Sequence, residues 1–142
     1  MKPSRHAGAP KRARSGVAAD PLPATGRPVL STIVFDCSDP ERLAQFWGGL
    51  LGVGVAYRDP TWVALERTPQ GGRIAFQPVP EGKTGKNRLH VDLLVDDLPT
   101  STATAVASGA TAVGTVVEED NGSYQVLRDP EGNEFCLVTA DD

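Results

Sequence analysis

The segment NRLHVDLLVDDLP, Asn87 to Pro99, contains the one histidine outside the N-terminal tail. Its alternation reads as a strand, with Leu89, Val91, Leu93 and Val95 on one side and Arg88, His90, Asp92 and Leu94 on the other. The first side is what a strand needs to cover a helix. The second sets three ionisable groups in a row, which a purely structural strand does not require. His90 and Asp92 are two apart, so their side chains point the same way from backbone positions about 7 Å apart. That spacing lets a carboxylate orient an imidazole for proton transfer, and it equally describes a structural ion pair. For His90 the open roles are metal ligand, catalytic base, pocket residue and tolerated polar side chain. Arg88 shares the parity and is either an anion contact at a rim or a solvated charge. Cys37 and Cys136 match no CxxC pattern and read as reduced, small buried hydrophobes, as expected of a cytoplasmic protein.

The elements that must position these groups follow a clear rhythm from Val29 onward. VLSTIVFDC (Val29–Cys37) alternates as a strand and runs into SDPERLAQFWGGLLG. There Ser38 or Asp39 caps a helix, Pro40 takes its first position, and Gly52 ends it. Leu43, Phe46, Trp47, Leu50 and Leu51 recur at helical spacing. VGVAY, TWVALE and RIAFQPV then read as three short strands, so the first half is βαβββ. After the polar linker Pro80–Asn87 the order repeats. RLHVDLLV is a strand, DDLPTSTATAVASGA a capped helix ending at Gly109, and TAVGTVVEE, SYQVLRD and NEFCLVTA three more strands. Asn121-Gly122 signals a hairpin turn. Aligning the capping acids Asp39 and Asp97 pairs Thr32 with His90 and Val34 with Asp92. Matching Phe76 to Phe135 places Gln77 opposite Cys136. The agreement in element order and caps points to an internal duplication.

Composition bounds the function classes. The chain has 142 residues, 39% hydrophobic and 23% charged, which suits one globular domain. No apolar run reaches the ~18 residues that span a bilayer. Residues 1–28 hold six basic side chains against Asp20, with no hydrophobic periodicity, and are expected to be a disordered basic tail. They have no aromatic residue for base stacking and no continuous apolar core of a secretory signal. The remainder, 29–142, sets eight basic against seventeen acidic residues. Such a domain repels nucleic acid and anionic membranes, so neither is expected as a partner.

Together, STIVFDCSDPERLAQFWGGLLG, NRLHVDLLVDDL, SGATAV and DPEGNEFCLV resemble the vicinal-oxygen-chelate superfamily, and within it the glyoxalase-like domains. The resemblance spans about Val29 to Thr139. It implies an α+β fold of two βαβββ modules forming a curled eight-stranded mixed sheet, a cup with helices outside. It also implies a homodimer and a small-molecule ligand. In such a cup Thr32, Val34 and Asp36 of the first strand face inward, with His90, Asp92 and Leu94 their counterparts, and Trp62 of the third strand walls the cavity.

Enzymes of the superfamily usually hold a divalent metal through His, Glu or Gln from the first, fourth, fifth and eighth strands. Carried over residue by residue, these positions fall on Thr32, Gln77, His90 and Cys136. Glu134 has the same parity as Cys136 but lies nearer the hairpin turn. A threonine and a thiol suit Mn, Fe or Ni poorly; if a metal binds, His90, Gln77 and Cys136 are its ligands and zinc its best match. The expectation is therefore a ligand-binding protein without the usual metal triad and without a cofactor. Thr32, Asp36, Trp62, Gln77, Arg88, His90, Asp92 and Cys136 are its candidate contacts. The alternative is an enzyme of the same superfamily, a lyase, isomerase or dioxygenase, that is metal-dependent or uses His90 and Asp92 for acid–base chemistry.

Overall fold

The computed structural model describes residues 30–140 together with Gly26 and Pro28. The expected disordered tail, those two residues apart, lies outside the described residues. The chain divides into two compact units at Gly82/Lys83, within the polar linker expected to close the first half.

The first unit contains β1 (Ile33–Cys37), α1 (Pro40–Leu51), β2 (Val55–Asp59), β3 (Trp62–Leu65) and β4 (Ile74–Pro78). Its sheet has the order β1-β4-β3-β2, with β1 and β4 parallel and the other pairs antiparallel. Asp39 Oδ1 accepts the Arg42 N–H at 3.1 Å, Pro40 opens the helix, and Gly52 closes it in the left-handed conformation at φ 71°. Leu43, Phe46 and Trp47, spaced three and four apart, are buried. Trp47 packs on Phe35 at 5.3 Å between ring centroids and edge-on to Phe46 at 5.5 Å, and Phe35 meets Phe76 at 5.7 Å. Each such pair adds about 0.5–1.5 kcal/mol beyond simple burial. The helix-covered face is thus Ile33, Phe35, Ile74 and Phe76. Val34 and Asp36 lie on the opposite, exposed face. The strand expected from Val29 starts at Ile33, whose N–H donates to the Arg73 carbonyl; Leu30 is exposed.

The second unit repeats the order with β5 (Asp92–Leu94), α2 (Leu98–Ala107), β6 (Thr111–Glu119), β7 (Gly122–Arg128) and β8 (Glu134–Val138). Its sheet is β5-β8-β7-β6, again with one parallel pair, β5 with β8. Asp97 caps α2 by accepting the Thr100 N–H at 3.1 Å. Buried Leu127, Phe135 and Leu137 share one face of the sheet, and α2 lies against β6, β7 and β8 through buried Leu98 and Ala105. The expected α+β class and the duplicated βαβββ order are borne out.

Two details correct the sequence reading. The strand expected over Arg88–Val95 is only Asp92–Leu94. Upstream, the Asn87 side chain takes the place of a ladder, its Nδ2 donating to the Glu134 carbonyl at 3.0 Å and the Leu89 carbonyl at 3.2 Å. His90 therefore precedes the strand. The second correction concerns the internal pairing. Asp36 stands level with Gln77, and Asp92 with Cys136. With Gln77 and Cys136 as counterparts, Asp36 answers to Asp92 and Val34 to His90, not Thr32. Counting from the caps misses this because the second module has two more residues between strand and helix cap.

Candidate functional site

The face of the second sheet turned away from α2 carries Asp92 and Leu94 from β5, Glu134, Cys136 and Val138 from β8, and Tyr124 and Val126 from β7. The registers Asp92↔Cys136, Val126↔Cys136 and Tyr124↔Val138 set them in rows. A cavity of about 520 Å³ lies on this face, and every residue lining it belongs to the second unit. Its size matches ordinary small-molecule sites.

His90, Asp92 and Cys136 come together at this cavity. His90 Nε2 lies 3.2 Å from Asp92 Oδ1, and both side chains are 55% exposed. The imidazole, carboxylate and thiol donor atoms all lie within 4.8 Å of one another. The strand ends just as His90 is reached: the last ladder bond runs from the Cys136 N–H to the Val91 carbonyl at 3.0 Å. Cys136 is thus a half-buried cavity residue rather than the buried hydrophobe expected, whereas Cys37 is buried, as expected, its thiol donating to the Gln77 carbonyl at 3.7 Å. Burial pushes the Cys136 thiol above its usual range, and the charges of Asp92 and Glu134 push it further, against a smaller effect of Lys86.

Glu134 and Lys86 form a second pair on the cavity wall, Lys86 Nζ donating to Glu134 Oε1 at 2.6 Å, with Arg128 Nη2 at 3.6 Å. The hydrogen bond from Lys86 holds the Glu134 carboxyl below the usual carboxylate range; burial opposes this, and the charges of Lys86 and Arg128 reinforce it. Lys86 thus lines the cavity and Arg88, exposed, does not. Nothing in the polar linker singles out Lys86. Glu134 is legible only through its parity with Cys136.

The hairpin at the cavity edge is set by close backbone approach. Gly122, at φ 142°, leaves room for the Thr139 carbonyl, whose oxygen an added Cβ would strike. Asp129, buried in the DPEGN turn, accepts the N–H groups of Glu131 and Asn133 at 2.9 and 3.0 Å and so starts β8 in the right place for Glu134 and Cys136.

Thr32, Asp36, Trp62 and Gln77 belong to the first unit. Thr32 precedes β1, its hydroxyl 3.0 Å from that of Ser31. Buried Gln77 donates from Nε2 to Asp36 Oδ1 at 3.2 Å. Trp62 sits half-buried at the start of β3. Against the divalent metal that the resemblance implies, these residues are a poor fit. The first-strand counterpart of His90 is Val34, which has no donor atom, and Thr32 offers only a hydroxyl 3.0 Å from that of Ser31. The fourth offers a neutral amide tied to Asp36, and the eighth a thiol. Hard cations favour carboxylate, imidazole and water.

A family model described as a glyoxalase-like domain matches residues 32–138. Among solved structures, the chain is similar to a glyoxalase/bleomycin resistance protein/dioxygenase family enzyme from Burkholderia phytofirmans PsJN (TM-score 0.68, 21% identity, covering 79% of this chain and 98% of that one). It is similar to a glyoxalase/bleomycin resistance protein/dioxygenase from Nocardioides (TM-score 0.66, 16% identity, 81% and 85%). A third is a glyoxalase-related enzyme from Fulvimarina pelagi (TM-score 0.64, 17% identity, 78% and 87%). At these identities the likeness is one of fold. No curated protein matches the chain.

Proposed function

The chain belongs to the glyoxalase-like domain family of the vicinal-oxygen-chelate superfamily, and from that premise we propose that it binds a small organic molecule in the cavity of its second module, without the superfamily's usual metal triad. The observation that carries this reading is the convergence of His90, Asp92 and Cys136 on a cavity of about 520 Å³. The walls suit a ligand with an apolar body and a polar head. Val126, Val138 and the Tyr124 ring supply apolar surface, while His90, Asp92 and the Lys86–Glu134 pair supply oriented donors and acceptors. Cys37 and Cys136 are not joined in a disulfide, in keeping with a cytoplasmic setting. No helix among the described residues is long and apolar enough to cross a membrane. We extend the reading to a homodimer, which light scattering tests directly.

The test is a thermal-shift screen of aromatic and heteroaromatic metabolites against the wild type and Val126→Trp, a substitution that fills the cavity. Compounds that stabilise the wild type and not the variant support the reading. A screen with no stabilising compound, or with stabilisation that survives Val126→Trp, contradicts it.

A second reading is an enzyme that uses His90 and Asp92 as an acid–base pair. The 3.2 Å contact between them favours it. So does the description of the Burkholderia and Fulvimarina structures as enzymes. Turnover of a stabilising compound, lost in His90→Gln while binding persists, separates catalysis from binding alone.

A further inference from the structure

We propose that Cys136 is a nucleophile, with His90 as its base and Asp92 orienting His90, and that the ligand it takes is a soft carbon electrophile: an α,β-unsaturated carbonyl compound with an aromatic body. This deepens the small-molecule reading of the same cavity and rests on it. It calls on none of the first module's residues.

Three features of the second sheet carry the assignment. First, the thiol, imidazole and carboxylate atoms lie within 4.8 Å of one another, and His90 Nε2 is 3.2 Å from Asp92 Oδ1. A thiol beside a base that a third group orients is the signature of an activated nucleophile, and such contacts are often looser before a ligand binds. With its Nε2 proton donated to Asp92, a neutral His90 keeps Nδ1 as an acceptor. Second, Cys136 lines the cavity together with Tyr124, Val126 and Val138, so a ligand held there is held beside the sulfur. Third, the backbone favours addition over acyl transfer. Acyl transfer commonly uses the nucleophile's own N–H to hold the oxyanion, and that of Cys136 is spent on the Val91 carbonyl at 3.0 Å. Conjugate addition puts its negative charge on the ligand's carbonyl oxygen, away from the reacting carbon. Lys86, with ammonium donors beyond the one given to Glu134, supplies a cation on the same cavity wall.

In the step, the Cys136 sulfur bonds to the β-carbon as the carbon–carbon π bond breaks, its electron pair moving to the carbonyl oxygen as an enolate. The thiol proton passes to His90 and from there to the α-carbon, which restores the carbonyl and the neutral imidazole. No further reactant is consumed. Burial, with the charges of Asp92 and Glu134, favours the protonated thiol. Cys136 is therefore slow toward an alkylating agent that the cavity does not retain, and fast toward a bound enone placed beside its base.

Intact-mass spectrometry of the full-length reduced protein treated with benzylideneacetone, an aromatic enone, tests the step, with the saturated benzylacetone as the unreactive probe of binding. The expected result is a single enone added at Cys136, at a rate that saturates with enone concentration, while buried Cys37 stays unmodified. Cys136→Ser adds none. His90→Gln lowers the limiting rate by about 100-fold or more with the half-saturating concentration unchanged, and Asp92→Asn lowers it in the same direction. Cys37→Ala reacts as the wild type does, and circular dichroism reports that each variant is folded. No adduct, an adduct on another residue, or a limiting rate unchanged in His90→Gln overturns the proposal. Benzylacetone that stabilises the wild type and not Val126→Trp, with no adduct from benzylideneacetone, removes the nucleophile and keeps the binding reading. A His90-dependent adduct whose rate rises linearly and never saturates keeps the nucleophile and removes that reading.

Discussion

Asp92 stands level with Cys136 across the parallel β5–β8 pair, while in the first module the corresponding place is taken by Asp36 level with Gln77. The same backbone relationship thus yields two different chemistries. In the first sheet an amide donates to a carboxylate. In the second, a carboxylate and a thiol stand side by side with His90 close to both. The repeated βαβββ order supplies one scaffold twice, and the side chains at the matching places differ.

Gln125 is predicted to matter for stability rather than binding. It is buried on the helix side of β7, and its Nε2 donates to the carbonyls of Val113 and Gly114 at 3.1 and 3.3 Å, where the β6–β7 register is interrupted. Gln125→Leu leaves those carbonyls without that donor and is expected to cost about 1–3 kcal/mol in urea unfolding. A variant as stable as the wild type would show that solvent already satisfies the interruption.

Glu134 should titrate below an ordinary glutamate, chiefly because Lys86 donates to it. A carboxyl depressed in the folded state stabilises the protein above its unfolded value of about 4.3, and that contribution is lost as pH falls through the folded value. Lys86→Ala should therefore raise the Glu134 titration midpoint by NMR and flatten the acid limb of the stability curve. An unmoved midpoint would place the cause elsewhere.

Cys136 should behave oppositely. Burial first, then Asp92 and Glu134, raise its thiol. A thiol raised in the folded state contributes stability that is present below the unfolded value of about 8.5 and lost as pH climbs through the folded value. In metal-free protein, alkylation of Cys136 at pH 8.5 should be slower than that of an unstructured cysteine peptide. Cys136→Ser should lose less stability than the wild type on the alkaline side. Alkylation at the peptide rate would contradict the burial that causes the shift.

Gly122→Ala is expected to destabilise the chain by more than about 1 kcal/mol, because the Cβ meets the Thr139 carbonyl and the backbone is left-handed. Since Gly122 and Ser123 border the cavity, the same variant should weaken ligand-induced stabilisation. Unfolding midpoints with and without ligand measure both effects. A neutral substitution would mean that the hairpin shifts without cost.

What was legible in the sequence follows from how local each signal is. Caps at Asp39 and Asp97, the Trp47 face of α1 and the alternation of β7 and β8 are written in neighbouring residues, and the chain adopts them. The His90–Asp92 pair was legible because two residues on an extended segment share a side. The partnership of Asp92 with Cys136 joins residues on strands far apart in the chain, and counting from helix caps gives Asp92 the first-strand counterpart Val34, two positions from Asp36. Strand ends were misjudged where a side chain replaces the ladder, as Asn87 does before β5. Lys86 had no local signal, and only the folded hairpin reveals that it meets Glu134.

The most direct measurement of the central claim is a backbone chemical-shift map of the protein titrated with a small molecule that stabilises it. The largest perturbations are expected at His90, Asp92, Tyr124, Val126 and Cys136, and the Val126→Trp variant should show none of them. Perturbations that spare these residues in the wild type would place the ligand elsewhere and contradict the account.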